Sequence, residues 1–404
     1  MGIRKMNFSE RKRPKKVKRL VQLGFDIPLL LITLTILVFG ALMLYSASTD
    51  FSLTYFEDPN YLIQRQFRWI VLGLIIMVLL AMTDYHFWQR AALPALGITV
   101  LALIAVLAFQ QVRYGAVRTI FQGSYQPSEL AKPIIVIYLA VWLFSKREYL
   151  QDVGFGLLPL GVLLGGIGGL ILSQPDLSGV IIIVFLGGMM FFLAGGDIRQ
   201  IVVVVIFSVL VGWLVVQGSA TGSARIADYL AGIRDPTQGS YHMQRALEAF
   251  VNGSWFGTGF GKSVTKFTGL PVAPTDSIYA VIGEETGVIG SVLTLLMYCA
   301  LLWRGLVIAQ RAPDLLGALM ASGLSIWITL EAFINMAVLI GLFPFAGNAL
   351  PLVSSGGSSM FVVMMSIGVL LSISRMTSKR NVEAASTFGP VVDLNYKKRR
   401  QTPV

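Results

Sequence analysis

The feature that most constrains this chain is a series of apolar stretches, each long enough to cross a bilayer as a helix. A transmembrane helix needs about 20 consecutive, mostly apolar residues, and ten segments meet that requirement. The ten predicted spans are 27–48, 67–84, 90–110, 128–145, 154–173, 177–195, 199–218, 277–304, 315–341 and 358–375. Only 13% of the 404 residues are charged, too few to cover such a surface facing water. The sequence therefore predicts an all-α, polytopic membrane helical bundle of about ten transmembrane helices.

Positive charge is concentrated at the two ends of the chain, whose formal net charge is +11. Basic residues that flank membrane spans favour the cytoplasmic side and contact anionic lipid. We therefore predict a basic cytoplasmic tail over 1–26, a membrane domain over 27–375, and a second basic cytoplasmic tail over 376–404. An even number of spans agrees with both tails lying on one side. Basic tails can also bind nucleic acid, but beside membrane spans we expect no nucleic-acid partner.

The segment 219–276 is predicted to be a large extracytoplasmic loop, and it is unusually rich in cations. Its basic residues are Arg225, Arg234, Arg245, Lys262 and Lys266. They are either a solvated surface or the recognition surface for an anionic ligand, and the sequence leaves both interpretations open. Within the loop, 240–251 has the pattern of a short amphipathic helix at the membrane interface. Ser240 is its expected N-cap, and Met243, Leu247 and Phe250 form its apolar stripe.

Several ionisable or amide side chains fall inside predicted spans, where they are costly and usually face protein or water. Glu129 and Lys132 are three residues apart on one helix face and can pair. Glu331 and Asn335 share a face of the ninth span. Polar groups of this kind either fix helix packing or bind a ligand, and both alternatives stay open.

One further carboxylate lies at a predicted membrane boundary. Asp276 is at the outer mouth of the eighth span, and Glu284 and Glu285 are predicted about 12 Å deeper along that helix. Water and substrate can both reach Asp276 at that position, which favours a functional role. The single cysteine, Cys299, excludes an intrachain disulfide and is expected in the protein interior.

In order and spacing, these motifs resemble the FtsW/RodA (SEDS) family of shape, elongation, division and sporulation proteins, and more closely its FtsW division branch. The matching stretches are 126–132 (Gln-Pro-Ser-Glu-Leu-Ala-Lys), 174–179 (Gln-Pro-Asp-Leu-Ser-Gly), 241–244, 257–261, 275–285, 335–344 and 350–359. The chain departs from the family pattern at four places. It has Thr119 after Arg118 instead of tryptophan, Pro274 instead of histidine, Ser277 instead of an aromatic residue, and Ala346 instead of threonine. These departures suggest a divergent lineage and leave any auxiliary role of the missing histidine in doubt.

The resemblance implies a peptidoglycan glycosyltransferase that polymerises lipid II into glycan strands at the outer face of the bacterial cytoplasmic (inner) membrane. It also implies a class B penicillin-binding protein, a transpeptidase, as partner, together with other divisome or elongasome membrane proteins. The family's essential aspartate corresponds to Asp276.

The implied chemistry needs a general base for the attacking sugar hydroxyl and positive charge for the leaving pyrophosphate. Asp276 is our candidate catalytic residue, either as that base or as the ligand of a divalent cation such as Mg²⁺ or Mn²⁺; no organic cofactor is expected. The candidate substrate-binding residues are Arg118, Glu129, Lys132, Arg245, Lys262, Lys266, Ser355 and Ser358.

Two other classes of function remain as alternatives. A flippase that moves the lipid-linked sugar across the bilayer would also use buried charge, although the sequence shows no inverted repeat of the transporter kind. A non-catalytic division scaffold would use the basic N-terminal tail to recruit other proteins. Only an enzyme would make polymer from purified components.

Overall fold

The structure is a computed structural model that describes residues 24–109, 126–174, 176–218, 220–344 and 347–387. The first seven α-helices are α1 (Ile27–Phe56), α2 (Tyr61–Met82), α3 (Trp88–Phe109), α4 (Pro127–Lys146), α5 (Leu158–Leu172), α6 (Leu177–Leu193) and α7 (Ile198–Gly218). The last five are α8 (Ala220–Arg234), α9 (Tyr241–Gly253), α10 (Ile278–Arg311), α11 (Leu315–Leu339) and α12 (Gly357–Thr387).

The predicted fold class is confirmed. The described residues form helices and connecting segments without a strand, and nine of their helices are long and apolar enough to cross a membrane. Each of the ten predicted spans coincides with a helix. Helix α5 has 15 residues and is preceded directly by a π-helical turn over Val153–Leu157, which together make a span of 20 residues. Helix α6, with 17 residues, is shorter than these nine spans.

Three of the helices begin at an aspartate whose side chain accepts a hydrogen bond from a backbone N–H of the first turn. Asp26 accepts from Leu29 N at 2.9 Å, Asp176 from Gly179 N at 3.0 Å, and Asp314 from Gly317 N at 2.7 Å. Such caps satisfy N–H groups that have no partner within the helix. The predicted boundary between the fifth and sixth spans at 174–176 is therefore confirmed, with Asp176 as its cap; Pro175 lies outside the described residues.

Helices α4, α11 and α12 form the centre of the bundle, since most of their side chains are buried. Helix α12 packs mainly against α2, and α11 packs mainly against α10. By contrast, none of the described side chains in the most apolar stretch of α7 is buried within the protein. Polar side chains on the three central helices are therefore surrounded by protein, where they can pair with one another.

Polar contacts tie together the helix ends at one side of the bundle. Arg304 Nη2 lies 2.7 Å from Asp26 Oδ2, which joins α10 to the start of α1. His86 Nε2 lies 2.8 Å from Asp314 Oδ2, and Arg375 donates to the Met82 carbonyl oxygen at 2.5 Å. The first residues of the membrane domain and the last turns of α12 thus lie at the same end of the bundle.

The segment 219–276 contains two helices, α8 and α9, of which the sequence predicted only α9. The predicted N-cap of α9 is confirmed, because Ser240 Oγ accepts a hydrogen bond from Met243 N at 3.4 Å. The predicted apolar stripe of α9 is only partly buried. The fully buried positions are instead the small residues Ala246, Ala249 and Gly253, which bring α9 close to α10.

Helix α10 is broken at Gly287, where the backbone adopts φ +69° and ψ −169°. The break bends the chain so sharply that Tyr279 Oη donates a hydrogen bond to the Ser291 carbonyl oxygen at 3.2 Å. In a straight helix, twelve residues would separate those positions by about 18 Å along the axis. Glu284 and Glu285 lie before the break, so their predicted distance of about 12 Å from Asp276 along the helix stays a prediction.

The segment 254–259 fills the break in α10 and exchanges backbone hydrogen bonds with both halves. The Ser254 and Trp255 carbonyl oxygens accept from Val288 N at 2.9 Å and Ile289 N at 3.3 Å. In return, Thr258 N and Gly259 N donate to the Glu284 and Glu285 carbonyl oxygens at 2.9 and 3.1 Å. The four backbone groups exposed by the break are thus satisfied. We call residues 254–259 the inserted segment.

Cys299 is exposed on the outer surface of α10, so the expectation that it lies in the interior is wrong. Its neighbours Leu295 and Leu296 are exposed as well. This face of α10 is apolar, and in a membrane it contacts lipid. An apolar run therefore does not tell an interior position from a lipid-facing one.

Candidate active site

Asp276 lies immediately before α10, and its backbone is held from two sides. The Asn335 side chain on α11 donates from Nδ2 to the Asp276 carbonyl oxygen at 2.9 Å and to the Asn348 carbonyl oxygen at 2.5 Å. Ser354 Oγ donates to the Thr275 carbonyl oxygen at 2.6 Å. Because Asn335 and Ser354 belong to different parts of the bundle, the position of Asp276 is fixed by tertiary structure.

The Asp276 side chain is half-buried and points toward Gly347. A Cβ atom placed on Gly347 would lie 2.9 Å from Asp276 Oδ2, so glycine leaves space for this carboxylate. A placed, partly exposed carboxylate is the arrangement required of a general base. It is equally able to hold a cation that arrives with a phosphorylated substrate.

Lys132 occupies the centre of the bundle, where it bridges two carboxylates. Its Nζ lies 2.7 Å from Glu129 Oε1 and also contacts Glu331 Oε1 directly. Only 4% of the Lys132 side chain is exposed. The predicted Glu129–Lys132 pair is therefore present, and it includes Glu331 from α11 as a third member.

Glu284 and Glu285, just before the break in α10, are held by the segment 263–266. Glu284 accepts hydrogen bonds from the hydroxyl groups of Ser263 and Thr265 and from Val264 N at 3.0 Å. Glu285 lies 2.9 Å from Lys266 Nζ. These contacts anchor the loop to the half of α10 that follows Asp276.

Lys266 therefore forms a buried ion pair with Glu285. Only 5% of its side chain is exposed, and its Nζ also donates to Ser46 Oγ on α1 at 3.1 Å. In this geometry the lysine joins α1, the loop and α10, and it is not presented to a ligand.

The remaining predicted substrate-binding residues lie in several places. Arg245 pairs with Glu248 at 2.7 Å on α9, whereas Lys262 is exposed on the loop. Ser355 donates its backbone N–H to the Pro274 carbonyl oxygen at 2.8 Å, two residues from Asp276. Ser358 Oγ accepts from Gln126 N at 3.4 Å, which connects the starts of α12 and α4. Arg118 lies outside the described residues.

A divalent cation at Asp276 would not be held by a protein-built cage. Among the residues described, no group of three or more His, Cys, Asp or Glu side chains is arranged to bind a metal ion. Mg²⁺ is commonly bound by one or two carboxylates together with substrate phosphates. Asp276 therefore fits a cation delivered with its substrate, and bound there the ion would neutralise charge on the leaving group.

Asn335 is the site residue whose role the sequence did not reveal. Its spacing from Glu331 predicted a shared helix face, but its hydrogen bonds go to Asp276 and Asn348, which are far away in sequence. Glu331 instead binds Lys132. Neighbouring polar residues on one helix therefore serve two different clusters, and only the tertiary contacts distinguish them.

The fold and the site together define a polytopic helical membrane protein with a positioned carboxylate at one end of the bundle, near a buried charge cluster. The sequence model of the FtsW/RodA/SpoVE family, described as cell cycle proteins, matches residues 27–379. The chain belongs to this family.

Named relatives match almost the whole chain. A protein of Geobacter metallireducens named probable peptidoglycan glycosyltransferase FtsW is 34% identical, over 91% of this chain and 98% of its own length. Stage V sporulation protein E of Bacillus subtilis is 35% identical, over 87% and 97%. The chain is thus almost equally similar to a relative named FtsW and to one named for sporulation.

Solved structures share the fold. A structure described as the structural coordination of polymerization and crosslinking by a peptidoglycan synthase complex matches with a TM-score of 0.73 and 27% identity, covering 88% of this chain and 99% of that one. The crystal structure of the rod shape determining protein RodA of Thermus thermophilus matches with a TM-score of 0.65 and 26% identity, covering 88% and 98%.

Proposed function

We propose that this chain is a peptidoglycan glycosyltransferase that polymerises lipid II into glycan strands, with Asp276 as its catalytic residue. Family membership supports the reaction class. The observation that carries the assignment of Asp276 is its position: Asn335 fixes its backbone, and Gly347 leaves space beside its carboxylate.

In the proposed step, a hydroxyl oxygen of the acceptor sugar attacks the anomeric carbon of the donor sugar. A new C–O bond forms, the bond from that carbon to the pyrophosphate oxygen breaks, and the hydroxyl proton passes to the Asp276 carboxylate. General-base assistance of this kind is typically worth about 10²–10⁴-fold in rate. The pyrophosphate leaves with an added negative charge that needs nearby cations.

Of the three candidate lysines for that charge, Lys262 is exposed, whereas Lys132 and Lys266 are buried in ion pairs. Arg118 remains a proposed contact on sequence grounds. In its alternative role, Asp276 would instead hold a divalent cation, Mg²⁺ or Mn²⁺, which would neutralise negative charge on the leaving pyrophosphate.

We place the protein in the bacterial cytoplasmic membrane as a ten-span bundle, with Asp276 at the outer face and both termini in the cytoplasm. The basic tails support this orientation. So does the clustering of Asp26, Arg304 and Arg375 at one end of the bundle, where the chain enters and leaves it.

A class B penicillin-binding transpeptidase is the proposed partner. The structural relative named for coordinating polymerization and crosslinking supports this pairing. Other membrane proteins of the divisome or elongasome are further proposed partners.

The deciding experiment incubates the purified chain in detergent with lipid II, with and without a co-purified transpeptidase, and resolves glycan chains on a gel. Strands that form with the wild-type chain and not with Asp276→Asn support the proposal. Movement of lipid II across vesicles without polymer would favour a flippase instead. If neither polymer formation nor transport is observed, the non-catalytic scaffold remains as the function.

A further inference from the structure

An open apolar groove lies between the second half of α4 and the first turns of α5. Its volume is about 400 Å³, within the range of about 300–1,000 Å³ that is usual for sites of small molecules. Tyr138 and Trp142 line it from α4, and five residues of α5, Leu158 and Val162 among them, line it from the other side. The groove is far from Asp276 in the fold, because it belongs to the end of α4 that carries Lys146 and not to the end that begins beside α12.

The α5 wall of the groove is not covered by protein. Leu158 is 63% exposed and Val162 is 69% exposed, and the two residues are one helical turn apart on the same face of α5. Exposed aliphatic side chains on a membrane helix contact hydrocarbon. This wall is therefore available to an acyl chain.

The α4 wall leads to a cation. Tyr138, Trp142 and Lys146 follow one another at intervals of four residues, which places them on one face of the helix. Lys146 lies about 6 Å beyond Trp142 along the axis. It is exposed and forms no ion pair with any residue that the structure describes, so its ammonium group can bind an anion at the end of the groove.

The charged residues that follow Lys146 differ from it in their surroundings. The Arg147 guanidinium carbon lies 5.6 Å from the centroid of the Phe144 ring, on another face of α4. Asp152 accepts a hydrogen bond from Gly154 N at 2.7 Å, at the start of the π-helical turn. Glu148 is exposed on the connecting turn. Lys146 is thus the cation that shares a helix face with the groove.

An apolar groove that ends at such a cation matches the two parts of an anionic phospholipid. We propose that the groove binds one anionic phospholipid of the inner leaflet, with an acyl chain between Trp142 and Val162 and its phosphate at Lys146. Basic sites between helices on the cytoplasmic side of a membrane are suited to anionic head groups, and Trp and Tyr rings favour the level of the head groups. The assignment to the inner leaflet rests on the proposed function and its topology, whereas the groove and its cation do not.

The dimensions of the groove favour a lipid over a helix of another membrane protein. The lining stretch of α5, Leu158 to Leu163, is only about 8 Å long. A transmembrane helix of a partner would run along a bilayer core of about 30 Å and would bring no charge to Lys146. A single hydrocarbon chain with a phosphate at its end fits both features.

The test is native mass spectrometry of the purified full chain, offered phosphatidylglycerol and phosphatidylethanolamine in equal amounts. The wild type should retain the anionic phosphatidylglycerol in preference to the zwitterionic lipid. Lys146→Gln should weaken retention of phosphatidylglycerol by about tenfold and remove the preference, because a charge-assisted contact is lost. Arg147→Gln removes the same charge from the adjacent position and should leave the preference unchanged.

A second variant tests the apolar wall with Lys146 intact. Leu158→Trp/Val162→Trp places two indole rings in the groove and should also weaken retention of phosphatidylglycerol. Both positions are exposed, so folding should not depend on their packing. The matched control is Val205→Trp/Val209→Trp, at two exposed positions one turn apart on α7, and it should retain phosphatidylglycerol as the wild type does.

Three results would overturn the proposal. The first is equal retention of the two lipids by the wild type. The second is wild-type retention of phosphatidylglycerol by folded Lys146→Gln or by the folded indole pair, which would leave the groove to a partner's helix. The third is an equal loss in Lys146→Gln and Arg147→Gln, since net charge alone would then explain binding.

Retention in detergent requires neither lipid II nor a known orientation in the membrane. A wild-type chain that fails to polymerise lipid II therefore overturns the proposed function and leaves this measurement valid. Thiol labelling that placed the end of α12 outside the cell would overturn the assignment to the inner leaflet alone.

Discussion

At the scale of single residues, the charge of Asp276 and the charge of Lys132 have different surroundings. Asp276 is partly exposed, and its backbone is held in place by Asn335. Lys132 is buried, and its charge is neutralised by Glu129 and Glu331. Substitutions should therefore affect activity at Asp276 and stability at Lys132.

We expect Asp276→Asn to fold normally and to polymerise lipid II at least about 10²-fold more slowly, since asparagine cannot accept the proton. Asp276→Glu moves the carboxylate by one methylene and should recover little activity, because placement limits such chemistry. The measurement is the rate of glycan-strand formation, with lipid II binding as control. An asparagine variant working at the wild-type rate would remove Asp276 from the mechanism.

Lys132→Ala leaves the Glu129 and Glu331 carboxylates in the interior without their cation. Breaking a buried pair in this way costs about 3–5 kcal/mol, so the melting temperature of the purified variant should fall markedly. The double variant Lys132→Met/Glu331→Gln removes the charges of Lys132 and Glu331, so that only the Glu129 carboxylate remains without its cation, and it should regain part of that loss. Lys262→Ala, on the exposed loop, should melt like the wild type; the same melting temperature for Lys132→Ala would show that the cluster is not structural.

At the scale of elements, the sequence predicted the helices well and their interruptions poorly. Each of the ten apolar stretches coincides with a described helix, and Ser240 marks the start of α9, because apolar runs and N-capping are local properties. Helix α8 was missed because it is neither long nor apolar. The break at Gly287 was missed because the inserted segment, which compensates it, lies some thirty residues earlier in the chain.

The same reasoning separates the predictable part of the site from the rest. Asp276 and the Glu129–Lys132 pair were predicted from local spacing and from family motifs. Three interactions depend instead on contacts between distant segments of the chain. They are the hydrogen bond from Asn335 to Asp276, the ion pair of Lys266 with Glu285, and the ion pair of Glu331 with Lys132. No local pattern encodes such contacts.

Substitutions at two glycines with nearly equal φ angles can test whether the inserted segment occupies the break in α10. Gly257 has φ +79° and Gly261 has φ +78°, so alanine costs about 1–2 kcal/mol at either position for the left-handed backbone alone. At Gly257 an added Cβ would also collide with the Glu285 carbonyl oxygen, whereas at Gly261 nothing lies within 4 Å. Thermal unfolding should therefore show a clearly larger loss for Gly257→Ala. Equal losses would mean that the segment does not occupy the break.

At the scale of the whole molecule, the proposed ten-span arrangement places α8 outside the membrane and the end of α12 in the cytoplasm. Single cysteines at Ser223 and Ser378, in a Cys299→Ser background, report on α8 and on the end of α12. An impermeant thiol reagent should label Ser223→Cys on intact cells and Ser378→Cys only after the membrane is opened. Equal labelling on intact cells would rule out the proposed topology.

The break in α10 also changes what the cell has to insert into its membrane. Residues 278–285 are all buried within the protein, so Glu284 and Glu285 never enter hydrocarbon. They avoid the cost of roughly 2.5–3.5 kcal/mol that a charged residue at a helix centre carries during insertion. In the proposed topology, the membrane-inserted part of α10 would therefore begin at Val288, and the segment 219–287 would be translocated. The ten residues 278–287, whose sequence resembles the start of a membrane helix, would then be translocated with the loop.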